Sequence, residues 1–248
     1  MIEMLSIDLS NYCSKACPFC YNNSNPEGAT AWEADEAIAF LSDCIANGVK
    51  AVSLGGGEPF EYEWIFQVIK AIYPLCYLSV TSNGLPLEED AIWTQLKSIK
   101  PDKIHLTIHH PDDDAEVKRI FHRITCLNKI GIKPGINLLV ASDKIDDASN
   151  VYREAKTIIT PGQIILVPQR YSKTPTPRQL SIVSGGHPFQ SPSCLLECKA
   201  PTNFVSVSWD KKVNHCSFAG GKESLQSLDY AGLRKALSRV EFKKCQKL

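Results

Sequence analysis

The 248-residue chain lacks a surplus of either charge: 27 basic and 27 acidic residues balance. A basic surplus is the usual electrostatic mark of a nucleic-acid partner, so bulk charge points to none. Long apolar runs are also missing. No stretch reaches the roughly 20 apolar residues of a membrane-spanning helix. The first ten residues, MIEMLSIDLS, have neither a basic region nor an extended apolar core, so they do not read as a secretory signal. Repeats of solenoid length are absent, which excludes a stacked-repeat architecture. These absences point to a cytoplasmic globular protein, with no membrane or nucleic-acid partner.

Cysteine is what the chain has in quantity: ten residues. In a cytoplasmic protein they read as metal ligands or small buried hydrophobes before they read as a disulfide framework. Three stand together in Cys13-Ser-Lys-Ala-Cys17-Pro-Phe-Cys20, a C-x3-C-x2-C spacing. Cys17 and Cys20 form a tight chelating turn, and Cys13 can reach the same group. Three thiolates can hold three irons of a four-iron cluster and leave the fourth open. The spacing also admits a zinc site, which needs a fourth ligand from elsewhere in the chain.

Short apolar strands alternate with longer amphipathic segments. Strands are expected at Met4–Leu9, Ala51–Leu54, Leu78–Thr81, Ile104–His109, Gly135–Val140 and Ile164–Val167. Helices are expected at Glu33–Asn47, Tyr62–Ile72, Glu88–Ile99, Asp114–Ile130 and Asp146–Thr157, with Gly48, Pro101 and Gly131 at their ends. Repeated βα units build a parallel sheet with right-handed crossovers. Six units are too few for a closed eight-stranded barrel. The expected fold is therefore α/β: a partial (β/α)6 barrel, followed by a small C-terminal hairpin-plus-helix extension. The barrel takes residues 1–171. Residues 172–193, rich in Pro, Ser, Thr and Gly, read as a linker. Residues 194–248 form the extension: a hairpin from Phe204–Trp209 through Asp210-Lys211-Lys212 to Cys216, then a helix from Asp229 to about Phe242.

In such sheets the ligand lies off the carboxyl ends of the strands. The informative loops follow strands: Cys13–Cys20 after the first, Gly55-Gly56-Gly57-Glu58-Pro59 after the second, Ser82-Asn83-Gly84 after the third. At this point the chain resembles the radical S-adenosylmethionine (SAM) superfamily. The C-x3-C-x-aromatic-C run, with Phe19 as the aromatic, is similar to that superfamily's cluster motif. Gly56-Gly57-Glu58 is similar to its GGE motif, and Ser82-Asn83-Gly84 to its TNG-like sequence. The resemblance covers about residues 3–170. It implies that Cys13, Cys17 and Cys20 ligate a [4Fe–4S] cluster and that SAM binds the open iron. It further implies that Gly56, Gly57 and Glu58 contact the methionine amino group and that Phe19 lies by the adenine. Ser82, Asn83 and Asn137 become ribose or carboxylate contacts, with turn and barrel hydrogen bonding as their other reading. An external one-electron reductant of flavodoxin or ferredoxin type would feed the cluster. The reduced cofactor would cleave SAM to a 5′-deoxyadenosyl radical that takes hydrogen from substrate.

Cys194, Cys198, Cys216 and Cys245 lie after the barrel segment. Four cysteines match a full [4Fe–4S] site. The stretch from Cys198 to Cys216 resembles the hairpin of the SPASM and twitch extensions, which carry auxiliary clusters in some radical SAM enzymes. The shorter twitch type fits the cysteine count better. Lys211-Lys212 stands where that family has Gly in the turn, Cys245 has no second cysteine close to it in sequence, and His215 is an alternative fourth ligand. Cys44, Cys76 and Cys126 fall on apolar faces or lead into a strand and read as small buried hydrophobes.

Substrate contacts are expected from His105 and His109, placed on one face of the fourth strand by alternation, and from Arg170, which can clamp a carboxylate or phosphate. The expected substrate is a small molecule or peptide. The first strand begins almost at residue 4, with no recognition domain before it, which favours a metabolite. The expected outcome is oxidation, dehydrogenation or bond formation. Two alternatives stand beside this. One is radical rearrangement or cyclisation of a nucleotide-like substrate. The other, of a different class, is a non-catalytic zinc or Fe–S binding module.

Overall fold

A computed structural model describes residues 1–245. The described residues divide into two compact units: Met1–Thr81 with Glu89–Asp102 and 200–245, and Ser82–Glu88 with Lys103–Lys199. These units are discontinuous in sequence.

In the first unit, β1 (Met4–Asp8), β2 (Ala51–Gly55) and β3 (Tyr77–Ser82) run parallel, with Ile7 opposite Leu54 and Ser53 opposite Ser79. Alternation sorts their residues by face. Leu5, Ile7, Val52, Leu54, Leu78 and Val80 are fully buried. Each stabilises the fold by about 1.5–3 kcal/mol relative to exposure. Ser6, Ser53 and Ser79 form an in-register polar row on the opposite face.

Helix α1 (Ala34–Ala46) buries Ala37, Phe40, Leu41 and Cys44, and a capping box between Glu33 and Glu36 fixes its start. Helix α2 (Ile65–Ile72) packs against α1. It begins later than Tyr62 because Pro59–Glu61 takes a separate 3-10 turn. Helix α3 (Asp90–Ser98) follows β3.

In the second unit, β4 (Lys103–Ile108), β5 (Lys133–Val140) and β6 (Ile164–Pro168) are also parallel, with Thr107 opposite Asn137 and Asn137 opposite Ile165. Ile104, Leu106, Ile108, Ile136, Leu138, Val140, Ile164 and Leu166 make the fully buried face. Helix α4 (Asp114–Lys129) packs on β4 and β5, and α5 (Ile145–Ala155) on β5. Asp113 caps α4 by accepting from the Ala115 and Glu116 amides.

Two expectations are corrected. The stretch 172–193 is not structureless: it contains helix α6 (Pro177–Val183), which packs against α5. Thr176 caps it, Pro177 sits at its first position and Gln179 completes a capping box. The Pro/Thr composition was thus a helix start as well as a loop signal. The C-terminal hairpin, β7 (Phe204–Val207) with β8 (Lys212–Asn214), is not a free appendage. Strand β7 pairs in parallel with β1, setting Ser206 beside Ser6, and β9 (Glu223–Ser224) follows β8. The last helix, α7 (Tyr230–Leu237), is shorter than expected and is capped by Asp229. Its Tyr230 amide donates to Asp43 of α1.

Candidate active site

The first unit gathers the cysteine loop and the glycine turn at the carboxyl ends of β1 and β2. The loop is held by its own backbone: the Cys13 amide donates to Asn25, the Asn25 amide to Asn11, and the Cys20 amide to Cys17. Asn22 Nδ2 donates to the Ser10 carbonyl at 3.0 Å. Ser14 donates from both its amide and its hydroxyl to the Glu61 carboxylate. At the far end of the loop Trp32 is fully buried, its indole N–H directed at the Ser208 carbonyl at 3.3 Å.

The glycine turn locks against this loop. Gly56 and Gly57 have φ of +75° and +33°. A Cβ on Gly56 would lie 2.4 Å from Asp8 Cβ, and one on Gly57 would lie 2.0 Å from the Tyr12 carbonyl oxygen. No side chain fits at either position. The Glu58 amide donates to the same Tyr12 carbonyl at 2.8 Å. Glu58 is buried, and its carboxylate accepts from the Phe60 amide at 3.2 Å. The glycines therefore have a structural task beside the ligand contact that the motif implies.

Two residues absent from the sequence reading join this site. Asp8 ends β1 almost fully buried, and burial pushes its carboxyl up to about 6, against the opposing pull of Tyr21 and Lys222. The Tyr21 hydroxyl donates to Asp8 Oδ1 at 3.2 Å, and its ring packs against Phe218 at 4.8 Å. An acid closing an apolar strand was the available signal for Asp8.

None of the ten cysteines is disulfide-bonded. Cys13 is buried, while Cys17 and Cys20 are half-buried, as is Phe19 between them. Burial pushes the Cys13 thiol above its ordinary range, with Glu58 and Glu61 adding to the effect and the Lys15 and Ala16 amides opposing it. Among the described residues no three His, Cys, Asp or Glu side chains converge as ligands of one ion. Three thiols on one loop match in number the three thiolates of a cluster that takes one thiolate per iron.

The second unit holds the remaining candidates. Ser82 Oγ accepts from the Gly84 amide at 3.0 Å and Asn83 Oδ1 from the Leu85 amide at 2.8 Å, so both side chains close the turn after β3. His105 Nδ1 lies 3.2 Å from Asn137 Oδ1, joining two candidates from adjacent strands. Burial, with Lys103 adding to it, pulls His105 down to about 4, so the ring is neutral at physiological pH.

His109 follows directly on β4, which ends at Ile108. Its amide donates to Glu116 at 2.6 Å and its ring stands 3.5 Å from the same carboxylate. Arg170 is buried with Nη2 at 3.1 Å from Cys194 Sγ. Cys194 and Cys198 belong to the second unit, Cys216 and Cys245 to the first. The ring of His215, the alternative ligand, meets Phe242 edge-on.

Of the cysteines read as hydrophobes, Cys44 is fully buried, and desolvation raises its thiol to about 12. Cys76 is half-buried, with its thiol raised to about 11 by desolvation. Cys126 is half-buried, its sulfur 3.6 Å from His122 Nε2, and does not sit in the core.

The sequence model of the radical SAM superfamily matches residues 7–133, just over half of the chain. The chain belongs to the radical SAM superfamily. By that membership it is an enzyme that uses SAM with a [4Fe–4S] cluster. Among curated radical SAM relatives, a probable GTP 3′,8-cyclase of Methanocella arvoryzae is 27% identical over 113 residues, 46% of this chain and 36% of its own. Another, from Sulfurisphaera tokodaii, is 29% identical over 142 residues, 54% of this chain and 43% of its own. The chain thus spans less than half the length of these relatives. Among solved structures, SuiB of Streptococcus suis bound to S-adenosylmethionine superposes with a TM-score of 0.70 at 18% identity, covering 87% of this chain and 60% of that one. The AdoMet-bound anSMEcpe superposes at 0.69 and 14% identity, covering 98% and 83%. These likenesses show the fold: α/β with a mostly parallel sheet, consistent with the partial barrel of radical SAM enzymes. Among the described residues no helix is long and apolar enough to cross a membrane.

Proposed function

We propose that Cys13, Cys17 and Cys20 hold the [4Fe–4S] cluster, which supplies the electron that cleaves SAM to a 5′-deoxyadenosyl radical for hydrogen abstraction from a small-molecule or peptide substrate. The observation that carries this reading is the interlock of the Gly57 turn with Tyr12, directly before Cys13. It fixes the glycine turn against the cysteine loop, which is the juxtaposition a bound SAM requires. Glu58 then presents a buried carboxylate to the methionine ammonium. Phe19 packs beside the adenine. Ser82, Asn83 and Asn137 are the ribose and carboxylate contacts, Asn137 keeping its Oδ1 for His105. His105, neutral and half of a hydrogen-bonded pair, can orient a substrate group without adding charge. Arg170 and His109 are the further substrate contacts, Arg170 standing at Cys194 and His109 at Glu116.

The reading includes an auxiliary [4Fe–4S] cluster on Cys194, Cys198, Cys216 and Cys245, and delivery of electrons by a flavodoxin- or ferredoxin-type protein. A second reading, cyclisation or rearrangement of a nucleotide-like substrate, is favoured by the relatives named GTP 3′,8-cyclase.

Anaerobic reconstitution followed by iron and sulfide counting tests the clusters: about eight irons per chain support both sites and about four leave only the first. Incubation with SAM and dithionite should yield 5′-deoxyadenosine, and the Cys13→Ala, Cys17→Ala, Cys20→Ala triple variant should yield none. Bound zinc in place of iron would sink the reading. Product analysis with GTP, and with a panel of peptides and metabolites, separates the two substrate readings.

A further inference from the structure

Cys13 is gripped on both sides of its Cα. The Tyr12–Cys13 peptide is anchored at both of its polar atoms. Its carbonyl accepts from the Glu58 amide at 2.8 Å, and its N–H donates to the Asn25 carbonyl at 3.0 Å. The Cys13–Ser14 peptide is anchored through its N–H, which donates to Glu61 Oε2 at 2.9 Å. The Ser14 hydroxyl donates to the other oxygen of the same carboxylate. Peptide units are planar, so two anchored planes that meet at one Cα fix both of its backbone dihedrals. The direction of the Cys13 Cα–Cβ bond is thereby set by the fold, and only side-chain rotation is left to the buried thiol.

The next two residues show what this grip accomplishes. The Lys15 and Ala16 amides hydrogen-bond to the Cys13 sulfur. Ala16 has a φ of +47°, in the left-handed region that costs an alanine energy. Such a turn persists only where its surroundings hold it. Glu61 holds it at its start, taking Ser14 by main chain and side chain at once with a charged acceptor. Glu61 is itself placed by the glycine turn, since it ends the 3-10 turn Pro59–Glu61 that Glu58 caps. Amide hydrogen bonds to the sulfurs of an iron–sulfur cluster orient its ligands and tune its reduction potential.

We infer that Glu61 is a positioning residue for the SAM cluster: through Ser14 it holds the loop so that Cys13 is preorganised as a ligand and the Lys15 and Ala16 amides stay on its sulfur. This rests on the reading that Cys13, Cys17 and Cys20 hold that cluster. It adds a residue that belongs neither to the cysteine motif nor to Gly56-Gly57-Glu58.

The test compares the anaerobically reconstituted full chain as wild type, Glu61→Ala, Glu61→Gln and Ser14→Ala. Two quantities are read: the rate at which excess EDTA removes iron, and the EPR signal of the dithionite-reduced cluster that responds to SAM. Glu61→Ala should lose iron about tenfold faster than wild type, the factor that one hydrogen bond to a charged group contributes. Its SAM-responsive signal should shift and broaden, because the amides on Cys13 are no longer fixed. Glu61→Gln keeps an oxygen for the Ser14 amide and should restore both rate and signal. Ser14→Ala loses the hydroxyl bond alone and should fall between. Thr176→Ala, which weakens a remote helix cap, controls for general loss of stability and should match wild type in both. A folded Glu61→Ala protein with the wild-type rate and signal overturns the inference. So does a Glu61→Gln or Thr176→Ala protein as impaired as Glu61→Ala. Wild type that binds no iron sinks the cluster reading itself, whereas iron-loaded wild type matched by every variant sinks only the role of Glu61.

Discussion

The Tyr21 hydroxyl donates to Asp8 Oδ1 at 3.2 Å, tying the residue after Cys20 to the end of the first strand. Asp8 also lies directly beneath Gly56, whose missing Cβ leaves room for it. One carboxylate therefore underlies both motifs.

That carboxylate is destabilising when charged. Its pKa is raised from 3.8 to about 6 by burial. Between these values the folded chain binds more protons than the unfolded one, so stability falls as pH rises through the window and then levels off. Asp8→Asn keeps an acceptor for Tyr21 and removes the ionisation. It should raise the thermal midpoint at pH 7.5, by up to about 3 kcal/mol in stability, with a smaller gain near pH 5. A gain that does not depend on pH would show that burial of the charge is not the cause.

Gly57→Ala should be among the most damaging single changes in the cysteine loop region. The added methyl meets the Tyr12 carbonyl oxygen at 2.0 Å, at a φ of +33°. Displacement of the turn should cost about 3 kcal/mol or more and lower the iron bound per chain. Iron content equal to wild type after identical reconstitution would contradict this.

His105 is held near 4 by burial, so the folded chain disfavours its proton. Stability should rise with pH between about 4 and the unfolded value of 6.5, and be flat above it. Asn137→Asp places a carboxylate against Nδ1 and should move the titration of His105 upward. Histidine Cε1–H chemical shifts against pH read this directly; an unmoved midpoint would break the His105–Asn137 assignment.

Thr176→Ala removes a side-chain acceptor for the Gln179 amide and half of a capping box. It should cost about 1 kcal/mol and raise amide hydrogen exchange across Pro177–Val183 before the rest of the chain. Uniform exchange over both units would show that α6 is not separately stabilised by this cap.

The alternation of apolar residues at period two and of helix faces at period 3.6 was legible without coordinates, because it follows from local geometry alone. That is why β1 to β6 and α1 to α5 fall within a few residues of their expected places. The three-cysteine spacing and the glycine turn were legible for the same reason: each is a short loop whose chemistry depends on near neighbours. The helix at Pro177–Val183 was hidden because proline and threonine serve both loops and helix starts. The tie of His109 to Glu116 was hidden because it joins the residue after β4 to a side chain of α4, a contact that strand alternation does not encode.

What the sequence carried by itself was the resemblance to the radical SAM superfamily, through the three-cysteine spacing and the glycine turn together, since the spacing alone also admits zinc. Only the tertiary structure decided which distant residues support that loop. Asp8 under Gly56, Tyr21 against Phe218, and β7 beside β1 join positions up to about two hundred residues apart. The pairing of Lys103 with Lys133 belongs with them, because strand register alone sets one beside the other. No local pattern encodes such pairings: they arise when strands choose neighbours, and that choice depends on burying whole faces at once.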